Sequence, residues 1–324
     1  MFPNAVANEI DRWLRTRDIL APVQGIASGS ILHGQGDKAP NVFFVSSVNG
    51  SANNDGRDPR LPLATIDAAV GKCTASRGDL IIVMPLHVET VTAAGGLDLD
   101  VAGITIIGLG EGDDRAVVNF TTAVGADMDV DAASIKVINL VFKGGIDALT
   151  GPIDVNSAYF TMIDCETRDV TGQATDFIVT DANADDMKLI RWTHKGATAA
   201  GADTAITIVG GDNIIIEDAN IDGNFAVGCI ENVTTAAVNI KIYGGAQRPC
   251  YLRTRNAADI AIQLVATTTG DIGPDIFIRL QDNAANITEC ITIVNTVQIF
   301  DPIMVCNLDA ERGMQYNGTA STDA

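Results

Sequence analysis

Asp164 and Asp218 are the acids whose spacing could do chemistry. Each lies four residues into a recurring apolar strand pattern, one copy beginning at Phe160 and another at Ile214. In a parallel stack with one copy between them, the carboxylates sit about 9–10 Å apart, two strand spacings of about 4.8 Å. That touches the upper end of the roughly 6.5–9.5 Å at which two carboxyls cooperate in inverting glycoside hydrolysis. The intervening copy carries Arg191 at the same position. A guanidinium there holds both acids ionised, whereas a general acid needs its pKa raised. The preferred reading is an ion-pair ladder. No catalytic residue is assigned, and Asp164 and Asp218 stand as the candidates to test. Glu166, Glu217 and Asp222 lie nearby with no evident partner in the sequence.

Asp181, Asn183 and Asp185 reproduce the D-x-N-x-D start of an EF-hand loop. Asp186 replaces the required glycine and Trp192 occupies the twelfth position, so an EF-hand is excluded. These three remain the candidates for a cation held in a turn, and no cofactor is assigned. Gly108-x-Gly110-x-Gly112 follows a strand, but DDRAVVNF continues as turn and strand. Without a helix N-terminus there is no phosphate site, so the glycines read as a corner. Histidine occurs at His33, His87 and His194, with no nucleophile motif around them. The six cysteines lack zinc spacing and sit mostly in apolar runs, as buried thiols do.

The elements that position these residues repeat. The copies include LDLDVAG–ITIIGLG, MDVDAAS–IKVINLVF, IDVNSAY–FTMIDCET, IVTDANADD–MKLIRWTH, ITIVGGDN–IIIEDANI and IENVTTAA–VNIKIYGG. The second strand of each places apolar residues at i, i+2, i+5 and i+7. These strands begin at Ile104, Ile135, Phe160, Met187, Ile214 and Val238, with a looser copy at Ile276. Strand and turn recurring near 25 residues, with no crossover helix, means a solenoid rather than a doubly wound sheet. Each copy is too short to shelter its own apolar side, so it stacks on the next. The i+5 column of Leu109, Leu140, Cys165, Trp192, Ala219 and Tyr243 is expected inside, as is the i+7 column of Phe142, Thr167, His194 and Ile221. The i+4 column of Asn139, Asp164, Arg191 and Asp218 is expected outside.

Three segments are expected. Residues 1–40 form an N-terminal helix (Ala7 to Leu20, with Ile10, Trp13, Leu14 and Ile19 or Leu20 at helical spacing) and a linker arm. Residues 41–300 form the β-helix, opened by a capping helix from about Leu63 to Cys73. Residues 301–324 form a C-terminal cap and tail. The formal net charge of −20 argues against nucleic acid and anionic membrane as partners. It suits solubility, a basic partner or divalent cations. No apolar stretch reaches the ~18 residues of a membrane span, and the charged, amphipathic N-terminus is unlike a secretory signal.

The stretch VFFVSSVNGSANNDGRDPRLPLATIDAAVGKC…GDLIIVMPLHVETV resembles the opening module of pectate-lyase-like β-helix proteins. The continuation AGGLDLDVAGITIIGLGEGDDRAVVNF is similar to uncharacterised bacteriophage structural β-helix proteins. The resemblance covers about residues 41–245. It implies an all-β, right-handed, single-stranded parallel β-helix. It also implies a virion structural protein, most simply a capsid decoration protein made in the host cytoplasm and carried on the virion surface. The expected partner is the major capsid protein or another virion protein, with a homotrimer by analogy. Arg12, Trp13, Arg15 and Arg17 are the expected docking residues. The alternative is a tail-associated β-helix that binds or depolymerises a glycan. Lyases of this fold need a basic residue beside acids. Lys136, Lys143, Lys188, Arg191 and Lys195 are the available bases, and none shares a column with a clear acidic cluster.

Overall fold

The computed structural model describes residues 40–169, 174–232, 234–245, 248–255, 260–280, 290–294, 296–300 and 303–307. The arm residues Arg12, Trp13, Arg15 and Arg17, and His33, lie outside them. The repeat winds as a parallel β-helix with three strands per coil instead of the two read from the sequence. Sheet A has ten strands, from Val42–Val45, Leu80–Val83, Thr105–Gly108 and Lys136–Ile138 through to Val297–Ile299. Sheet B has nine, from Val88–Val91 to Ile303–Asn307, and sheet C has eight, from Leu97–Asp98 to Ile291–Ile293. The strand pairings are parallel, as in Thr161↔Lys136 and Thr161↔Lys188. Ten coils at about 4.8 Å make a rod about 43 Å long.

The step of three between i+2 and i+5 is a corner. After Lys136–Ile138, Asn139 takes φ 58° and the chain re-emerges in sheet B as Val141–Gly144. Asp164, Arg191 and Asp218 turn the same corner at φ 54°, 52° and 56°. Asn and Asp tolerate this left-handed backbone better than other side chains. The expectation that this column faces outward is therefore corrected: Asn139 and Asp218 are buried, and Asp164 and Arg191 are half-buried.

Inside, period-two strands bring like residues into register. Ile106, Val137, Met162, Leu189, Ile216 and Ile242 form one buried column. Leu140, Cys165, Trp192 and Ala219 are buried as expected. Tyr243 is not in that column: it pairs with Glu217 on the outside, because the sheet A strand starts at Ile240 and not at Val238. Leu109 also departs, joining an outer apolar cluster. The Ile276 copy belongs to sheet B, and Gly270–Ile272 is the sheet A strand of that coil. The i+7 column is interior, with His194 fully buried between Thr167 and Ile221.

The capping helix α1 is shorter than expected, Ile66–Val70. Leu63 is held extended against Phe44, and the Thr65 side chain caps the helix by accepting from the Ala68 N–H. Ile66, Ala69 and Val70 close the interior cluster at this end. Glu89 accepts from the Ile66 N–H at 2.9 Å and pairs with buried His87 at 3.1 Å. Fully buried Asp79 accepts from the backbone of Asn41 and Thr74 and from Arg77, anchoring the start of sheet A. At the other end the solenoid runs past residue 300, since Ile303–Asn307 pairs with Ile276–Leu280. Among the described residues, no helix is long and apolar enough to cross a membrane.

Candidate functional site

The corner column holds the candidate acids. Arg191 grips Asp164 with two parallel hydrogen bonds, Nε to Oδ1 at 2.9 Å and Nη2 to Oδ2 at 3.0 Å. That is a bidentate, charge-assisted pair, and hydrogen bonding to Asp164 raises the Arg191 pKa. Asp218, 2% exposed, accepts from the backbone N–H of Gly245 in the following coil. Asn139 donates to the carbonyls of Gly108 and Gly110 in the preceding one. The column is thus a chain of coil-to-coil ties. The ladder is realised between Asp164 and Arg191, while Asp218 is held by backbone.

Sheet B carries a basic outer face. Lys143, Arg168, Lys195, Asp222, Arg253 and Arg279 stand on consecutive coils. Glu166 lies beside them and is contacted by Arg115 at 3.1 Å, Arg168 at 2.6 Å and Lys195 at 2.6 Å. Burial pushes its carboxyl up, but the hydrogen bonds from Arg168 and Lys195 outweigh that and leave its pKa below the usual carboxylate range. Asp222 behaves alike: burial is overcome by Arg255, at 2.6 Å, and by Arg253. Both acids have the partners that the sequence left unassigned, and Lys195 has an acid beside it after all. The Glu166–Arg168 spacing of two was a usable signal; Arg115 and Lys195 arrive only through register. On the next column Tyr251 and Phe277 pack with ring centroids 5.3 Å apart and their planes tilted by 55°.

Sheet C is the reverse. Asp98, Asp129 and Asp154 stand on consecutive coils, flanked by Asp100, Asp127 and Asp131. Among the described residues, none of these six forms an ion pair with a cation. Burial and then Asp127, Asp131, Asp154 and Asp98 push the Asp129 pKa up to about 6. Asp98, Asp127 and Asp154 are also raised, burial leading in each.

The D-x-N-x-D turn is occupied by its own hydrogen bonds. Asp181 accepts from the Asn183 N–H at 2.6 Å and from Asn183 Nδ2 at 2.9 Å, while Asp185 accepts from the Asp212 N–H at 2.7 Å. Asp185 therefore faces the next coil and not a centre shared with Asp181. Among the described residues, no group of three or more His, Cys, Asp or Glu side chains is arranged to hold a metal ion. His194 is enclosed by Phe177, Trp192 and Phe225, with Nδ1 2.8 Å from the Thr167 hydroxyl. Burial drives its pKa down to about 3, so the ring is neutral.

No protein-family model and no curated protein matches the sequence. Two solved structures are similar in fold. One is described as a rhamnogalacturonan lyase, at 10% identity and a TM-score of 0.49, covering 75% of this chain and 69% of that one. The other is pectate lyase Pel9A, at 13% identity and a TM-score of 0.41, covering 84% and 78%.

Proposed function

We propose that this chain is a non-catalytic structural β-helix on the outside of a bacteriophage particle, decorating the capsid. One observation carries the non-catalytic part: Asp164 and Asp218 are consumed by ties between coils, one by a bidentate guanidinium and one by a backbone N–H. Acids so held are engaged by the chain's own donors and serve as ties in the fold. The virion part is supported by the resemblance over residues 41–245 and by the arm expected from the sequence over residues 1–40, in which Arg12, Trp13, Arg15 and Arg17 would dock onto the major capsid protein or another virion protein. A homotrimer on the virion surface belongs to the same reading.

Two measurements test it. Mass spectrometry and cryo-electron microscopy of purified particles should find the chain on the head, and its absence overturns the location. Incubation with polygalacturonate and rhamnogalacturonan should give no chain shortening; shortening that Asp164→Asn or Asp218→Asn abolishes overturns the non-catalytic role. The tilted Tyr251–Phe277 pair beside Arg253 favours a second reading, a tail-associated β-helix that binds an acidic glycan. Rings stack on sugar faces while the guanidinium pairs with an anion. Loss of polygalacturonate binding in folded Tyr251→Ala would support it.

A further inference from the structure

Charge is sorted between two faces of the solenoid, coil by coil. Each coil returns from sheet B to sheet A through sheet C. The arcs that do so, 92–104, 121–135, 145–160, 170–187, 196–214 and 224–239, contain no Lys or Arg. Asp98, Asp129 and Asp154 stand there in register. Asp176, Asp203 and Glu231 continue the acid over the next three coils, with Asp176 accepting from the Thr204 and Thr207 hydroxyls at 2.9 and 2.8 Å. Burial, and after it the neighbouring acids, push the Asp203 and Glu231 carboxyls up, as at Asp129. Partly buried carboxylates thus repel one another with no cation between them among the described residues.

Sheet B carries the opposite excess. Glu166 is shared by Arg115, Arg168 and Lys195, and Asp222 by Arg253 and Arg255. Positive charge is therefore left over before Lys143 and Arg279 are counted. It points outward, because Phe142, Thr167 and His194, the strand neighbours of Lys143, Arg168 and Lys195, are fully buried. The Lys195 side chain is 58% exposed and that of Arg168 34%.

We propose that the outer face of sheet B docks on the outer face of sheet C of a second copy, with the two rods parallel and in coil register. Three arguments converge on this partner. The signs are complementary, so each face supplies what the other lacks. The pitch is common, since both rows repeat at about 4.8 Å. The heights also agree: three consecutive coils carry one member on each face, Lys143 with Asp154, Arg168 with Asp176, and Lys195 with Asp203. Rods standing side by side therefore bring the cations of one level with the acids of the next. With no axial step between copies, such a heterologous contact can close into a ring instead of running on as a fibre. The inference rests on the self-association proposed above and names its faces; the location on a particle does not enter it.

Sedimentation velocity of the full chain across a dilution series tests it. At about 0.15 M salt the screening length is about 8 Å, so the overall negative charge is largely screened between rods while charges in contact are not. Concentration-dependent assembly is expected. Lys143→Glu with Lys195→Glu on sheet B, or Asp154→Lys with Asp203→Lys on sheet C, should each weaken it about tenfold or more. All of these changes in one chain exchange the signs of the two faces and should restore it, with circular dichroism checking the fold. Carbodiimide coupling of mixed light and isotope-labelled chains should join Lys143 to Asp154 and Lys195 to Asp203 between copies. That measurement needs no substitution, so it decides the matter if a variant fails to fold. A monomer at every concentration overturns the self-association and its faces together. Assembly that ignores the reversals, that a folded chain with both faces exchanged does not recover, or that yields inter-copy links elsewhere overturns the faces alone.

Discussion

Asp129 stands between Asp98 and Asp154 in one column of sheet C, so its replacement by asparagine removes two like-charge neighbours at once. At about 4.8 Å, each repulsion is worth about 0.9 kcal/mol in bulk water and about 3.5 kcal/mol at an effective dielectric of 20. The side chain is half-exposed, which places the effect near the solvent limit. Asp129→Asn is therefore expected to stabilise by about 1–2 kcal/mol at low salt. The sign follows from the folded pKa of about 6 against the ordinary aspartate value of 3.8, burial being the larger cause and the neighbouring acids the next. The folded chain takes up this proton at higher pH than the unfolded chain. The destabilisation by Asp129 is thus fully present above about pH 6, shrinks as pH falls through that value, and is gone below about pH 4. Urea denaturation of both proteins at about pH 8 and about pH 4.5, in low and high salt, measures it. The gain should be largest at the higher pH in low salt and weaken in high salt. A less stable variant at the higher pH, or a gain independent of both pH and salt, would refute repulsion as the force acting on this stripe.

Three further outcomes are expected. His194, driven down to about 3 by burial, makes the wild type lose stability as pH falls below the unfolded value of about 6.5 toward 3. His194→Gln, which cannot charge, should be less acid-sensitive in a pH titration followed by circular dichroism. Asp164→Asn leaves the half-buried Arg191 without its charged partner and should cost about 1–2 kcal/mol in denaturant melts; in a double-mutant cycle with Arg191→Ala the coupling should be of similar size. Gly270→Ala puts a Cβ 1.9 Å from the Ile240 carbonyl oxygen at φ 152°. It should cost at least about 3 kcal/mol, read as a lowered melting temperature or a loss of soluble protein.

What the sequence made legible was parity. Alternation put Val137, Met162 and Leu189 inside, and the i+7 register put His194 there too. Alternation does not, however, say where a strand begins. Val238, Ile240 and Ile242 share one parity, so the coil could be started two residues early, and that slip placed Tyr243 inside. The strong apolar run at Ile276 outshone the short strand Gly270–Ile272, whose glycine and aspartate advertise a turn. Leu109 looks like Leu140, but its corner runs through Gly108 and Gly110 and not through a single left-handed residue. The partners of Glu166 were illegible for a different reason. They come from three coils, and only the finished register brings Arg115, Arg168 and Lys195 to one carboxylate. The burial of Asp218 was hidden likewise, since an acid at an outward parity gives no sign of sitting in a corner.

The segregation of charge between sheets B and C has a consequence for how the rod moves. With cations gathered along one side and unneutralised carboxylates along another, the molecule has a dipole directed across its long axis. Near a charged wall it feels a torque that rolls it about that axis before any contact forms. A cationic wall receives the sheet C side and an anionic wall the sheet B side. The rod thus approaches a large charged body already turned to one edge, and added salt would randomise that roll before it weakened the fold.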